Sequence, residues 1–293
     1  MHFNDEFYHL FKFELFFGVF LLIFFNVPFV FIYLSFKEIS QMLRKILILF
    51  FFILFFSINM QAQFGRTYQE VGIMAGPVFF KSDYGERGDF ENFSKNVGYS
   101  AGIFYYFSFI EDYPNLRENF KLRVDASFMK TDLEHFGKYV DPKKTSLFAE
   151  QLRAMKGSTQ TINLGLQMEF YPWKTDDYNR DVRFSPYVSL GGQLGYYTSK
   201  VYSELGPLGT PITTPEKYSN GTRNESRPVA SLTSSIGTRF KLDPYNSLMF
   251  DCRLQYYTSD WVDGLNPNRK TYPENQTNDY SLTFNFGYVY YFN

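Results

Sequence analysis

The sequence predicts an all-β fold: an eight-stranded antiparallel transmembrane up-and-down β-barrel with a short helix in one long external loop. Three observations carry this expectation. Long segments alternate apolar and polar side chains with a period of two. The connections between these segments alternate between long and short, and the charges within them keep to one face.

The N-terminal part has a composition of its own, with 17 of the 36 Phe in residues 1–62. From Met42 the chain reads Met-Leu-Arg-Lys, then an apolar run from Ile46 to Ile58, then Met60-Gln61-Ala62 before Gln63. A short basic segment, an apolar core too short to span a bilayer and a small residue at the cut are the parts of a secretory signal peptide, here residues 42–62. Residues 1–41 contain the uncharged stretch Leu15 to Phe36 and are either the product of a start codon assigned too early or a membrane helix. The domain that folds is residues 63–293.

The strands follow in order. Residues 67–80 place Glu70 on the polar face, and in residues 96–109 Tyr99, Ala101, Ile103, Tyr105, Phe107 and Phe109 oppose Gly98, Ser100 and Gly102, with Phe104 and Tyr106 blurring the polar side. Next, Phe120, Leu122, Val124, Ala126 and Phe128 alternate with Lys121, Arg123, Asp125 and Ser127. Ile162, Leu164, Leu166, Met168 and Phe170 alternate with Asn163, Gly165, Gln167 and Glu169. Residues 183–200 and 227–241 are weaker repeats of the pattern. Leu248 to Tyr256 and Tyr280 to Phe292 complete it, the last with a wholly apolar, aromatic face. Strands of soluble sheets run to about 5–6 residues, whereas a tilted bilayer-spanning strand needs about 9–11, and these runs reach or exceed the second length.

The connections agree. Residues 81–95, 134–157, 201–226 and 260–277 are long; 110–118, 173–182 and the Asp243-Pro244-Tyr245-Asn246 turn are short, the asymmetry of external loops and periplasmic turns. On the polar faces Glu70, Asp125, Glu169 and Asp251 balance Lys121, Arg123, Arg239 and Arg253. The opposite faces accept lipid, while the charges form a paired, solvated network in the lumen. Tyr105, Tyr256, Tyr288 and Tyr290 stand where an interfacial aromatic girdle belongs.

Within the second long connection, Asp141 is positioned to cap a helix with Pro142 at its first turn. Phe148, Leu152 and Met155 share one face, and Gly157 ends it. Residues 205–228, with four prolines, read as an irregular exposed loop. Four N-x-Ser/Thr triplets, at Asn92, Asn220, Asn224 and Asn275, are chance matches in polar loops.

Composition excludes several functions. Residues 1–62 carry four of the 29 Lys+Arg and four of the 30 Asp+Glu, so the remainder is within one charge of neutral and offers no field for nucleic acid. A single cysteine, Cys252, rules out an internal disulfide and a cysteine-rich zinc site, and His135 is the one imidazole beyond the leader. No cofactor or metal is expected. Gly191-Gly192-Gln193-Leu194-Gly195 lies within a strand and lacks the spacing of a dinucleotide site.

Ala75-Gly76-Pro77-Val78, Ser82-Asp83-Tyr84-Gly85-Glu86-Arg87, His135-Phe136-Gly137-Lys138 and Gln151-Leu152-Arg153-Ala154-Met155-Lys156-Gly157-Ser158 resemble segments of an uncharacterised flavobacterial family of small outer-membrane β-barrels, within the Bacteroidota. The resemblance covers residues 63–293 and implies the outer membrane of a Gram-negative bacterium. The terminal Tyr290-Tyr291-Phe292-Asn293 is similar to the aromatic signal read by the barrel-assembly machinery, but ends in Asn. The expected role is non-enzymatic, an envelope structural or surface-interaction protein acting through its external loops. Its expected partners are outer-membrane lipid, the assembly machinery and a protein at those loops. One alternative is a small-solute pore lined by Arg123, Arg239 and Arg253. A second is a lipid A modifying hydrolase in which His135, beside Glu134, activates Ser158; the plainer reading of His135 is a surface histidine at a strand end.

Overall fold

A computed structural model describes residues 67–85, 90–109, 116–173, 183–272 and 277–292. The leader 1–62, most of the connections 110–118 and 173–182, Asn275 and Asn293 lie outside the described residues.

Eight strands form: β1 (Thr67–Lys81), β2 (Val97–Phe109), β3 (Phe120–Glu134), β4 (Met155–Phe170), β5 (Phe184–Ser203), β6 (Glu225–Asp243), β7 (Asn246–Tyr257) and β8 (Tyr280–Phe292). Each pairs antiparallel with its sequence neighbour, and β1 pairs with β8 from Gln69↔Phe292 to Lys81↔Tyr280, so the sheet closes in the order β1-β2-β3-β4-β5-β6-β7-β8. Closure leaves no sheet edge with unpaired backbone groups. Gly76 permits the close approach of β1 and β8, because a Cβ there would lie 1.8 Å from the Phe284 carbonyl oxygen.

The period-two pattern sets which way side chains face. In β4, buried and exposed residues alternate strictly from Thr159 to Glu169, and Ile162, Leu164, Leu166 and Met168 all stand more than half exposed on the outside. Leu194 and Ile236 are 72% and 71% exposed on β5 and β6. An apolar belt of this kind runs round the barrel, far more contiguous apolar surface than soluble monomers show.

The inner face is less uniformly polar than the sequence suggests. Two apolar clusters fill it. One, at the long-loop end, joins Val78, Phe80, Met129, Leu133, Val201 and Tyr257 to loop residues Tyr84, Leu152, Tyr218, Val262 and Leu265. The other, inside the barrel, contains Met74, Phe104, Tyr106, Tyr171, Tyr187, Met249, Val289 and Tyr291. Phe104 and Tyr106, which blur the alternation of β2, are inward core residues.

Among the described residues two α-helices occur, both between strands at the long-loop end: α1 (Phe90–Lys95) and α2 (Leu147–Ala154). The first is not evident from the sequence. The second starts later than its expected Asp141 cap, because Ser146 caps it, accepting a hydrogen bond from the Ala149 N–H. Asp141 instead accepts the Lys143 N–H in a turn of its own. Nor does Gly157 end the helix: Met155 is already extended, and the β3 and β5 ladders claim residues 155–157 through Glu134↔Lys156 and Met155↔Ser203.

Candidate functional site: a sealed lumen and a folded cap

The eight charged residues expected in the lumen come together there, and each is nearly or wholly buried. Glu70 accepts from Lys121 Nζ at 2.6 Å and Ser108 Oγ at 3.0 Å through Oε1, and pairs with Arg239 through Oε2. Arg239 reaches on to Glu169 at 3.7 Å. Glu169 accepts from Tyr106 Oη at 2.8 Å and Tyr171 Oη at 2.6 Å, and forms an ion pair with Arg123 Nη1 at 2.8 Å. From Arg123 the chain of contacts passes to Asp251 at 3.5 Å and Asp125 at 3.8 Å, and Arg253 bridges the same two carboxylates at 3.4 Å and 3.1 Å. Gln167, Gln193, Asn285 and Tyr187 supply further hydrogen bonds.

This arrangement follows from strand register. Lys121, Arg123 and Asp125 lie on alternate residues of β3, and Gln167 and Glu169 face them on β4 through Arg123↔Gln167 and Lys121↔Glu169. Asp251 and Arg253 enter from β7 on the far side of the barrel, and Glu70 and Arg239 from β1 and β6. Four charges of each sign then cancel, and every carboxylate meets a cation, the condition under which buried ions are tolerated. Guanidinium packing adds to it: Arg239 Cζ stands 4.1 Å from the Tyr106 ring centroid. The expectation of a solvated network is corrected by this packing. With Arg123, Glu169 and Asp251 at 0% exposure, outside solvent does not reach the centre of the lumen. Gly191 and Gly195 lie on the inner face of β5, where a Cβ would crowd Gln167 and Asn163.

At the opposite end of the architecture the four long loops form one folded cap. The Tyr218 hydroxyl donates to the Asp83 carbonyl oxygen at 2.8 Å, tying the third loop to the first. The Asp83 N–H donates to Asp263 at 2.7 Å, and Asp279 accepts the Val262 and Asp263 N–H groups, which brings in the fourth. The second loop joins through Gln151 Nε2, which donates to the Pro211 carbonyl oxygen at 2.7 Å, and through the Phe136 N–H, which donates to Asn92 of α1 at 2.7 Å. The region 205–228 is an irregular exposed loop only in its first part, residues 205–212, and is folded beyond it. Thr213, Thr214 and Tyr218 are buried, a 3-10 turn spans Glu216–Tyr218, and β6 takes residues 225–228. Asn92 is likewise buried and engaged, unlike the exposed position its triplet suggests.

His135 belongs to this cap, and it is not the surface histidine of the plainer expectation. It is 6% exposed, with its ring 4.9 Å from Tyr84 and 5.6 Å from Tyr218 between centroids. Nδ1 accepts the Gly85 N–H at 2.7 Å, so the neutral ring carries its proton on Nε2, and Nε2 is buried with no hydrogen-bond partner among the described residues. Burial, helped by the Lys217 charge, pushes the imidazole down to about 3. Asp263 and Asp279 shift in the opposite sense. Burial, and for each a facing carboxylate, hold them well above the usual aspartate range.

The hydrolase constellation is not assembled. Ser158 shares the outward parity of Ile162 on β4 and pairs with Asp132 and Lys200 in the ladders, while His135 is held inside the cap. Glu134 pairs with Lys156 at 3.4 Å rather than orienting the imidazole. Among the described residues no group of His, Cys, Asp and Glu is placed to hold a metal ion.

No protein-family model matches this chain, and no curated protein matches it. Solved structures do. A major outer-membrane protein of Thermus thermophilus is 14% identical, with a TM-score of 0.44, over 78% of this chain and 100% of that one. The Yersinia pestis attachment invasion locus protein Ail, solved with the heparin analogue sucrose octasulfate, is 15% identical over the same shares, with a TM-score of 0.39. The outer-membrane enzyme PagL is 9% identical over 75% of this chain and 98% of that one, with a TM-score of 0.35. These likenesses do not choose between the roles of these proteins.

Proposed function

We propose that this chain is a non-enzymatic, non-conducting outer-membrane barrel whose working surface is its long-loop cap, exposed to the cell exterior for an envelope or surface-interaction role. The apolar belt supports membrane residence, since only lipid makes the exposure of Leu194, Ile236 and their neighbours favourable. The observation that carries the proposal is the contrast between the two ends of the interior. The lumen is closed by a balanced, buried ion network, whereas the loops, which a purely structural barrel needs only as connections, are tied into a cap whose apolar core is continuous with the inward residues at the strand ends.

The pore alternative needs water among Arg123, Arg239 and Arg253, and these side chains are spent on carboxylates. The enzyme alternative needs His135 and Ser158 together, and strand parity separates them. In planar bilayers the purified barrel is expected to give no stepwise ion conductance; regular steps would refute the sealed lumen. In cells overproducing the protein, lipid A is expected to keep its mass profile, and a new acylation state that depends on His135 would refute the non-enzymatic role.

A further inference from the structure

The apolar belt is not even. On the wall made by β8, β1, β2 and β3 it carries a groove of about 800 Å³. Strand register explains the recess. One row of paired residues running from β8 to β4 reads Phe286, Ala75, Ala101, Phe128 and Ile162, so two adjacent alanines lie between large outward side chains. In the next row toward the short turns Tyr288, Ile73 and Ile103 close the groove, and Ala126 extends its floor on β3. A hydrocarbon chain lying here gains dispersion contacts on its flanks as well as beneath, which the convex wall of a barrel does not otherwise offer.

The row on the cap side reads Pro77, Tyr99, Lys130, Gln160 and Thr198. Lys130 thus follows Phe128 on the lipid-facing parity of β3, and it is half-buried. Counted from Phe120, it stands about 25 Å up the bilayer normal, at about 3.4 Å per residue and about 40° of tilt, where the apolar band ends and headgroups begin. Its ammonium makes no ion pair among the described residues. In the row beyond, Asp132 and Lys200 flank Ser158, one charge of each sign, and Lys156 further on pairs with Glu134 and Glu204. β2 carries no charge, and the lipid-facing positions of β8 are apolar or aromatic. The groove therefore has a single cation at its cap-side rim and no charge along its floor. A second barrel docked on this wall would desolvate Lys130, whereas a lipid phosphate pairs with it.

We propose that this groove seats one anionic membrane lipid, with an acyl chain over Ala75, Ala101 and Ala126 and the phosphate paired with Lys130. The inference rests on the membrane residence proposed above and deepens it, from general contact with lipid to one lipid held at a defined place by chain and charge together.

The test uses the protein extracted from cells in detergent micelles and titrated with dioleoylphosphatidylglycerol or with dioleoylphosphatidylcholine, the zwitterion with the same chains. Mass spectrometry of the intact complex is expected to show one phosphatidylglycerol retained per barrel. Its preference over phosphatidylcholine is expected to be about fivefold, the worth of one lysine at an anionic lipid surface. Lys130→Gln is expected to abolish the preference while a lipid is still held. Ala101→Phe fills the floor and is expected to remove retention of both lipids. In the unaltered protein the Ala101 methyl resonance is expected to shift saturably with phosphatidylglycerol and not with inorganic phosphate, a reading independent of whether Ala101→Phe assembles. Equal retention of the two lipids by the unaltered protein, a preference that survives Lys130→Gln, or an Ala101 resonance that phosphatidylglycerol does not move would each overturn the site. Any of these from a heat-modifiable barrel removes the lipid site alone, whereas a protein that shows no mobility shift on heating and is absent from the membrane fraction removes membrane residence with it.

Discussion

At the scale of single residues, the lumen charges and the cap histidine make opposite demands on the chain. Arg123 faces Glu169, Asp251 and Asp125 at once, so removing it leaves buried carboxylates without a cation. Arg123→Met is therefore expected to lower barrel stability by about 3–5 kcal/mol, measured by urea unfolding in lipid vesicles; a loss below about 1 kcal/mol would mean that water already solvates the site. His135 is stabilising only while neutral. Its depressed value means that the folded cap resists protonation, so its contribution is present above the ordinary value of 6.5 and is lost as the pH falls toward about 3. Opening of the Gly85 amide, corrected for intrinsic exchange, should become easier over that interval by up to about 1.4 kcal/mol per pH unit. Asp263 and Asp279, held above the aspartate range, slope the other way and lose stabilisation as the pH rises through their folded values. The difference between the protein and its His135→Gln variant isolates the imidazole, and equal pH profiles for the two would contradict the assignment.

At the scale of elements, the strands were legible because alternation is enforced residue by residue once one face meets an apolar medium and the other a packed lumen. The charges of β3, β4 and β7 could be assigned to the interior from parity alone, since a one-residue slip would drive Arg123 and Asp125 into the apolar belt. The cap was not legible, for a different physical reason. Its core gathers Leu152, Tyr218, Val262 and Leu265 from three separate connections onto Phe80 and Leu133 at the ends of β1 and β3, and nothing in the local pattern of any one connection links its residues to the others. Gly157 shows the same limit: it looks like a helix stop, but it is small because the Tyr84 hydroxyl lies 2.1 Å from where a Cβ would be. Once β4 is known to begin at Met155, the dispensable segment of the second loop ends before it. Replacing residues 141–152 with a short Gly/Ser linker should leave a barrel that still shifts mobility on heating, while the remaining loops become sensitive to protease. Loss of the heat-modifiable form would mean that α2 is needed for assembly.

At the scale of the whole molecule, interior and exterior are solved by separate means. Lipid satisfies the outer apolar faces, opposite charges satisfy one another within, and closure removes the sheet edges. What remains free to recognise anything outside the membrane is the cap. For the cap to act there, the long loops must face the cell exterior and the Asp243–Asn246 turn the periplasm. Its most direct test is labelling of intact cells with a membrane-impermeant maleimide, in a Cys252→Ser background carrying either Thr210→Cys in the cap or Tyr245→Cys in the short turn, both exposed positions. The expected result is labelling of the Thr210→Cys protein on intact cells and of the Tyr245→Cys protein only after the envelope is broken. Labelling at Tyr245→Cys on intact cells, or none at Thr210→Cys until lysis, would contradict an outer-membrane barrel that presents its cap to the outside.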